Sequence, residues 1–412
     1  AMLQLPGLAY IEISLAKRLR QLLPESNKQV SLFSWSTQEV LQRLAEYESD
    51  LLTELGFPLT DEQEASVIMA LTNRCSAITG YGGTGKTTVL KAVVTVAHSM
   101  GKEVYGVALS GKAKVRLENA TKLTTMTIHS FISAATNTKK RKATIELSSD
   151  PLLIVDEASM VDVALFNKLL SVFGNRPFSL LVVGDSAQIS PVGFGLVWHQ
   201  LLKSTIPITH LTKTHRQESL LHQSAMQIRE GVAPTLPYWD NQSSGIYFID
   251  CNVDQRALHL EILKAKLNMP ELQVISPHVS RSLPDSSTEI NQFLQANMDA
   301  RADAEPNGIR VGAHLLTEGS PVIVTENSYE LGLFNGMTGK LISVDTDDGN
   351  TSGVFQFDDE IGTRKITVED MYDLGLQLAY CISIHKSQGS EYPVVLIVCA
   401  VDTEMIERSF MY

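Results

Sequence analysis

The residues with the clearest chemical purpose are Gly80-Tyr81-Gly82-Gly83-Thr84-Gly85-Lys86-Thr87-Thr88, which fit G-x-x-x-x-G-K-[ST]. In such a loop the glycines let backbone N–H groups turn toward a phosphate, and the helix that follows adds partial positive charge at its N-terminus. Lys86 is expected to reach the β- and γ-phosphates of ATP, and the Thr87 hydroxyl to hold Mg²⁺. Two later strings repeat the plan of an apolar run closed by polar residues. Leu152-Leu153-Ile154-Val155 ends in Asp156-Glu157, and Leu180-Leu181-Val182-Val183 ends in Gly184-Asp185-Ser186-Ala187-Gln188. A carboxylate pair at the carboxyl end of a buried parallel strand sits where open α/β sheets place their sites. Asp156 is the expected second Mg²⁺ ligand, Glu157 the base that takes a proton from attacking water, and Gln188 a neutral sensor of the γ-phosphate. Gly80, Gly82 and Gly85 also satisfy the dinucleotide fingerprint G-x-G-x-x-G. That reading needs an acid closing the next strand, whereas Glu103 opens it, and it leaves Lys86-Thr87 without a task.

These residues need particular elements to hold them. Cys75–Thr79 reads as a buried strand, and Val89, Leu90, Ala92, Val93 and Val94 as the apolar face of a helix that stops near Gly101. Val104–Leu109 reads as a second strand, ending in Ser110-Gly111-Lys112-Ala113-Lys114 at a helix start. Those residues suit either a phosphate site or a solvated first turn. Thr127-Ile128-His129-Ser130 follows. Lys139-Lys140-Arg141-Lys142 reads either as a solvated loop or as the tip of a hairpin, near residues 132–149, that touches nucleic acid. Ahead of the loop, Thr60 and Gln63 have capping-box spacing, and the Gln63 amide also offers the donor and acceptor that adenine requires.

At 412 residues the chain has room for two to four domains, and 44% hydrophobic with 19% charged residues describes an ordinary globular composition. No apolar run approaches the roughly 18 residues of a membrane span and no signal peptide is visible, so the expected location is cytoplasmic, with no membrane partner. Cys75, Cys251, Cys381 and Cys399 form no C-x-x-C pair, and three lie in apolar runs, reading as buried thiols rather than a zinc site or disulfides. A net charge of −12 argues against coating nucleic acid non-specifically but leaves room for a local basic groove. The Ala1-Met2 start reads as a tag-cleavage scar. Residues 1–55 read as an N-terminal helical region and 56–205 as a first α/β domain. Beyond it, Ile208–Leu211, Gln273–Ser276 and a doubly buried Val394–Val398 read as strands of a second domain (206–315 and 376–412). Asn335-Gly336 and Asp347-Asp348-Gly349-Asn350 mark hairpins of a small β-barrel inserted at 316–375.

The motifs and their order resemble superfamily 1 DNA helicases, most closely the RecD-like group, from about Leu59 to the chain end. The most distinctive stretch is Leu378-Ala379-Tyr380-Cys381-Ile382-Ser383-Ile384-His385-Lys386-Ser387-Gln388-Gly389-Ser390-Glu391. In that family this string bridges single-stranded DNA and ATP. The resemblance implies two RecA-like parallel-sheet domains, with the inserted barrel similar to a Src-homology-3-like fold. It implies adenine reading by Gln63, nucleotide contacts along Gly80–Thr88 and at Gly389 and Glu391, and a γ-phosphate contact from Arg216. It also implies DNA contacts at Ser110, Lys112, Thr127, His129, His385 and Ser387, with Lys140 and Arg141 on a duplex-splitting hairpin. The expected activity is DNA-stimulated ATP hydrolysis driving 5′-to-3′ movement and unwinding, on single strands and strand junctions, alongside repair, recombination or replication proteins. An ATP-switched binding subunit and an RNA helicase are the alternatives. Two departures stand out. Leu109-Ser110-Gly111 replaces the family's Pro-Thr-Gly, and the family's Thr-x-x-Thr-Arg motif would follow Tyr412, the last residue given.

Overall fold

The structure is a computed structural model that describes residues 6–23, 35–55, 57–136, 145–213, 220–239, 245–250, 254–279, 283–299, 308–328, 330–347, 350–358, 362–399 and 408–412. It divides into two compact units, one of residues 1–109 and 113–219, the other of 110–112 and 220–412.

The first unit is built on six parallel strands, β1 (Cys75–Gly80), β2 (Val104–Ala108), β3 (Thr125–Thr127), β4 (Leu152–Asp156), β5 (Ser179–Gly184) and β6 (Ile208–Leu211), in the order β3-β2-β4-β5-β1-β6. The central strands are apolar along their length because helices cover both faces. Their side chains alternate between two cores. Cys75, Ala77, Leu153, Val155, Leu180 and Val182 enter one, and Ile78, Leu152, Ile154, Leu181 and Val183 the other.

The helices of this unit are α1 (Pro6–Arg20), α2 (Thr37–Leu55), α3 (Asp61–Thr72), α4 (Lys86–Ser99), α5 (Gly111–Thr121, whose first two residues group with the second unit), α6 (Ile128–Thr136), α7 (Val163–Ser171) and α8 (Val197–Leu201). The region 1–55 does not stand apart as a packing domain of its own. Leu15 of α1 joins the first core with Phe166, Leu169 and Leu170 of α7, while Val40, Leu44, Tyr47 and Leu51 of α2 join the second core with α3 and α4. The two N-terminal helices therefore cover opposite faces of one sheet.

A second correction concerns the boundary at 205/206. Ile208–Leu211 does not open a second domain, because β6 pairs in parallel register with β1, Ala77 opposite Ile208 and Gly80 opposite Leu211. Glu62 of α3 fixes the end of that strand, accepting from Thr212 N at 2.7 Å and Thr212 Oγ1 at 2.6 Å.

The second unit begins with α9 (Leu220–Glu230) and α10 (Gln255–Asn268), then β7 (Leu272–Ser276) and α11 (Ser287–Asp299). A hairpin follows, β8 (Gly308–Val311) with β9 (His314–Thr317). The next elements are β10 (Pro321–Ile323), β11 (Thr338–Asp347), β12 (Asn350–Phe357), β13 (Arg364–Thr367), α12 (Val368–Asp373) and β14 (Gln377–Leu378). The chain closes with β15 (Cys381–Ser383), α13 (Ile384–Ser387), β16 (Val394–Ile397) and α14 (Arg408–Met411). A three-stranded parallel sheet has the order β15-β7-β16, and a five-stranded antiparallel sheet, β13-β12-β11-β10-β14, stands where the small β-barrel is expected. The described strand β16 is not buried on both faces. It is an edge strand whose residues alternate, leaving Val395 and Ile397 exposed.

Cys75 and Cys381 are buried free thiols, but Cys399 is exposed, and Cys251 lies outside the described residues. No helix among the described residues is long and apolar enough to cross a membrane.

Candidate active site

Strand order assembles the first-unit site. β4, β5 and β1 are neighbours and parallel, so the loops leaving their carboxyl ends lie side by side. From β1 comes the glycine loop. Gly83 and Gly85 have φ of +82° and +83°, left-handed values that side chains rarely adopt. Gly85 is the N-cap residue of α4, and a Cβ there would run into the Gln63 amide nitrogen. Gly80, too, has no room for a side chain, since a Cβ would lie 2.6 Å from Thr84 Oγ1. Thr84 is buried and donates to Tyr81 O at 2.8 Å, bracing the loop from within. Gly82 is exposed, and Thr87 and Thr88 lie half-buried in the first turn of α4.

Lys86 Nζ donates to Gly80 O at 2.6 Å and Tyr81 O at 3.2 Å, so the ammonium is held over the loop. Burial pulls its pKa down, while Asp185, then Glu157 and Asp156, pull it back up. These carboxylates and Lys86 thus share one electrostatic site.

Asp156 ends β4, and its Oδ1 accepts from Glu157 N at 2.9 Å. Burial first, and the Glu157 charge second, raise its pKa to about 6. Glu157 adopts φ +51°, a left-handed turn that breaks the strand direction between the two acids. Its Oε2 is buried with no hydrogen-bond partner among the described residues, while Oε1 lies 4.0 Å from Arg116 Nη1. From β5 come Asp185, buried and accepting from Ala187 N at 3.0 Å, and Gln188, whose Oε1 accepts from Ser159 Oγ at 3.1 Å.

Gln63 closes the start of α3 and packs against the glycine loop. Its Oε1 accepts from Thr60 N at 3.0 Å and its N donates to Thr60 Oγ1 at 3.4 Å, completing the capping box, while its Nε2 abuts Gly85.

The donor set offers oxygen atoms, a hydroxyl at Thr87 and a carboxylate at Asp156, which suits a hard cation such as Mg²⁺. Among the described residues no group of three or more His, Cys, Asp or Glu side chains converges to hold a metal alone.

Sequence reasoning passed over Asp185 and Arg116. Asp185 stands inside a string already singled out, so its signal was present. Arg116 lies on α5, remote in sequence from Glu157, and only the fold brings it there.

Residues 58–246 match the family described as an AAA domain. The chain is 30% identical over 358 residues to the ATP-dependent RecD2 DNA helicase of Deinococcus radiodurans, a match covering 85% of this chain and 47% of that protein. It is 25% identical over 394 residues to the RecD subunit of the RecBCD enzyme from Mycobacterium tuberculosis, covering 85% of this chain and 66% of that one. The chain is thus similar, over most of its own length, to DNA helicases of the RecD group. It spans about half the length of the RecD2 relative. Among solved structures, Bacteroides Pif1 bound to single-stranded DNA superposes with a TM-score of 0.51 at 20% identity, covering 83% of this chain and 86% of that one, a likeness of fold.

The remaining candidate residues divide by location. Ser110 and Lys112 stand at the start of α5, and His129 is exposed on α6. Thr127 is buried, and its Oγ1 accepts from Ser130 N at 3.2 Å in the first turn of α6. Lys140, Arg141 and Arg216 lie outside the described residues. In the second unit, the Asn291 side chain clamps the backbone of Cys381, donating to its O at 2.8 Å and accepting from its N at 2.9 Å. That clamp fixes the start of the turn carrying His385, Ser387, Gly389 and Glu391. His385 and Glu391 are exposed, and partial burial lowers the His385 pKa. Ser387 Oγ donates to Ile384 O at 2.8 Å, and Gly389 turns the chain at φ +74°.

Proposed function

We propose that this chain is the motor portion of an ATP-dependent DNA helicase, which binds single-stranded DNA and couples ATP hydrolysis to translocation. The observation that carries the reading is the convergence of Lys86, Asp156, Glu157 and Gln188 at the adjoining carboxyl ends of β1, β4 and β5. Lys86 would leave its carbonyl partners for the γ-phosphate and offset the charge that develops there. Thr87 and Asp156 would hold Mg²⁺, which would supply charge neutralisation to the phosphates. Glu157, with one carboxylate oxygen unpartnered, would accept the proton of the attacking water. Gln188, oriented by Ser159, would register the γ-phosphate. Ser110, Lys112, His129, His385 and Ser387 are the proposed DNA contacts, and Arg216, Gly389 and Glu391 the further nucleotide contacts. The finer reading, 5′-to-3′ movement driven by closure of two RecA-like domains, rests on family resemblance.

The test is ATP turnover in the full-length protein with and without oligo(dT). Strong stimulation is expected in the wild type, and a loss on the order of a hundredfold or more in Lys86→Ala. Turnover indifferent to DNA sinks the motor reading. Tight ATP binding without hydrolysis selects an ATP-switched binding subunit instead, and stronger stimulation by RNA selects an RNA helicase.

A further inference from the structure

The turn that carries His385, Ser387, Gly389 and Glu391 hangs from a short edge strand. β15 has 3 residues and pairs with β7 alone among the described residues, Cys381 opposite Val274 and Ser383 opposite Ser276. Tyr380 O accepts from Val274 N at 3.4 Å, so the chain at Tyr380 faces β7. By the alternation of a strand, the N–H and C=O of Cys381 then face the opposite, outer edge. They end there on Asn291 of α11, whose Nδ2 donates to Cys381 O at 2.8 Å and whose Oδ1 accepts from Cys381 N at 2.9 Å. One side-chain amide thus stands where a neighbouring peptide group would, and the residue is only 5% exposed.

Asn291 is itself held on a fixed post. Gln295 lies one turn further along the same face of α11 and is buried. Its Nε2 donates to Asp299 Oδ1 at 2.6 Å, and its Oε1 accepts from Ser320 Oγ at 2.9 Å. Thr317 Oγ1, at the end of β9, donates to Asp299 Oδ1 at 2.8 Å. The helix is therefore tied to β9 by one buried network and to β15 by the Asn291 amide. Past Cys381 the chain has little length in which to absorb a shift. Ser383 is already the N-cap residue of α13, and His385 and Ser387 stand on that single turn. A displacement of β15 at Cys381 passes directly into both.

We propose that Asn291 is a positioning residue for DNA binding, its amide fixing β15 at Cys381 and thereby the place of His385 and Ser387 on single-stranded DNA. This rests on the helicase reading above and deepens it, giving a share of DNA affinity to a side chain too buried to touch DNA itself. The chemistry demands an amide at this position. A donor must meet Cys381 O and an acceptor must meet Cys381 N. A carboxylate offers acceptors alone and would set its charge against a carbonyl oxygen, whereas a protonated carboxyl again presents one donor and one acceptor. The surroundings favour the protonated form. Burial first, and the charge of Asp285 second, push the Cys381 thiol up, and Asp285 is paired with His278 at 2.9 Å.

The experiment compares wild type, Asn291→Asp and Asn291→Ala in the full-length protein, below the melting temperature of each. It measures oligo(dT) affinity by fluorescence anisotropy, and ATP affinity with a fluorescent ATP analogue, from about pH 8 down to about pH 5.5. At about pH 8 both variants are expected to bind oligo(dT) about tenfold more weakly than wild type, near the low end of ordinary coupling energies. Their ATP affinity is expected to stay within about threefold, because Lys86 and the glycine loop belong to the other unit. As pH falls, Asn291→Asp is expected to return to within about threefold of wild type at the same pH, while Asn291→Ala keeps its deficit. Comparison at each pH cancels the titration of His385, which all three proteins share. Asn291→Asp binding like wild type at about pH 8, or a deficit that ignores pH, overturns the inference and leaves the motor reading intact. A loss of oligo(dT) affinity matched by an equal loss of ATP affinity also overturns it, making Asn291 a folding residue only. Wild type that does not bind oligo(dT) defeats the motor reading and the inference together.

Discussion

Gln63 is asked to do two things, and the structure says how one side chain can manage both. Its carbonyl oxygen accepts from Thr60 N at 3.0 Å, but a carbonyl has two lone pairs, so one remains for the adenine amino group. Its Nε2 would donate to adenine N7. Gln63→Glu separates the roles, because glutamate is an ordinary capping-box residue at this position and has no donor for N7. The fold should therefore tolerate Gln63→Glu, whereas Gln63→Ala leaves the Thr60 cap but removes the reciprocal hydrogen bond to Thr60 N, at a cost of about 1 kcal/mol, or roughly 2–4 °C in a domain of this size. Losing the N7 hydrogen bond costs about 1–3 kcal/mol, equivalent to roughly 5- to 150-fold in affinity. The added carboxylate also repels the phosphates near Gly85, so bare ATP affinity would confound the two effects. Comparing ATP with 7-deaza-ATP removes that confusion, since both carry the same phosphates and differ only at N7. Wild type is expected to bind ATP about tenfold more tightly than 7-deaza-ATP, and Gln63→Glu and Gln63→Ala to bind them alike. Thermal unfolding should place Gln63→Glu near wild type and Gln63→Ala below it. The reasoning is refuted if wild type does not distinguish the two nucleotides, or if Gln63→Glu melts as low as Gln63→Ala.

Two further outcomes follow from charge placement in the first unit. Asp150 is paired with both Arg74 and Lys102, the latter at 3.3 Å, and all three side chains are no more than 16% exposed. Asp150→Ala takes the carboxylate away from two largely buried cations, so urea unfolding should report a loss of about 3 kcal/mol, and a loss below about 1 kcal/mol would refute the assignment. Glu62 binds the Thr212 hydroxyl and the backbone N–H groups of Thr212 and Lys213, and the Thr212 hydrogen bond is the main cause of its lowered pKa. A depressed carboxylate pKa adds stability above the ordinary value of 4.5, and that contribution disappears as pH falls through the folded-state pKa. Glu62→Gln should consequently show a shallower decline in melting temperature than wild type as pH drops from about 5 toward 3, and parallel curves would count against it.

What could be read from the sequence, and what could not, divides along a physical line. Lys86, Thr87, Asp156 and Gln188 stand out in the sequence because each lies at or a few residues past a strand end, where backbone geometry restricts the residue types around it. The strand is apolar because it is covered on both faces, and the turn is glycine-rich because φ must be positive at Gly83 and Gly85. The second kind of information depends on which surface an element meets, and the helical period carries no such address. The leucines of α1 and α2 announce amphipathic helices, yet nothing in their spacing tells that they cover opposite faces of one sheet. Ile208–Leu211 announces a strand but not that β1 has a free edge for it. Electrostatic partners are the extreme case. Arg116 and Glu157 meet because β2 and β4 are parallel neighbours, so α5, which follows β2, starts beside the turn that follows β4. A pairing of that kind is a property of strand order, and strand order becomes visible only when the sheet is assembled.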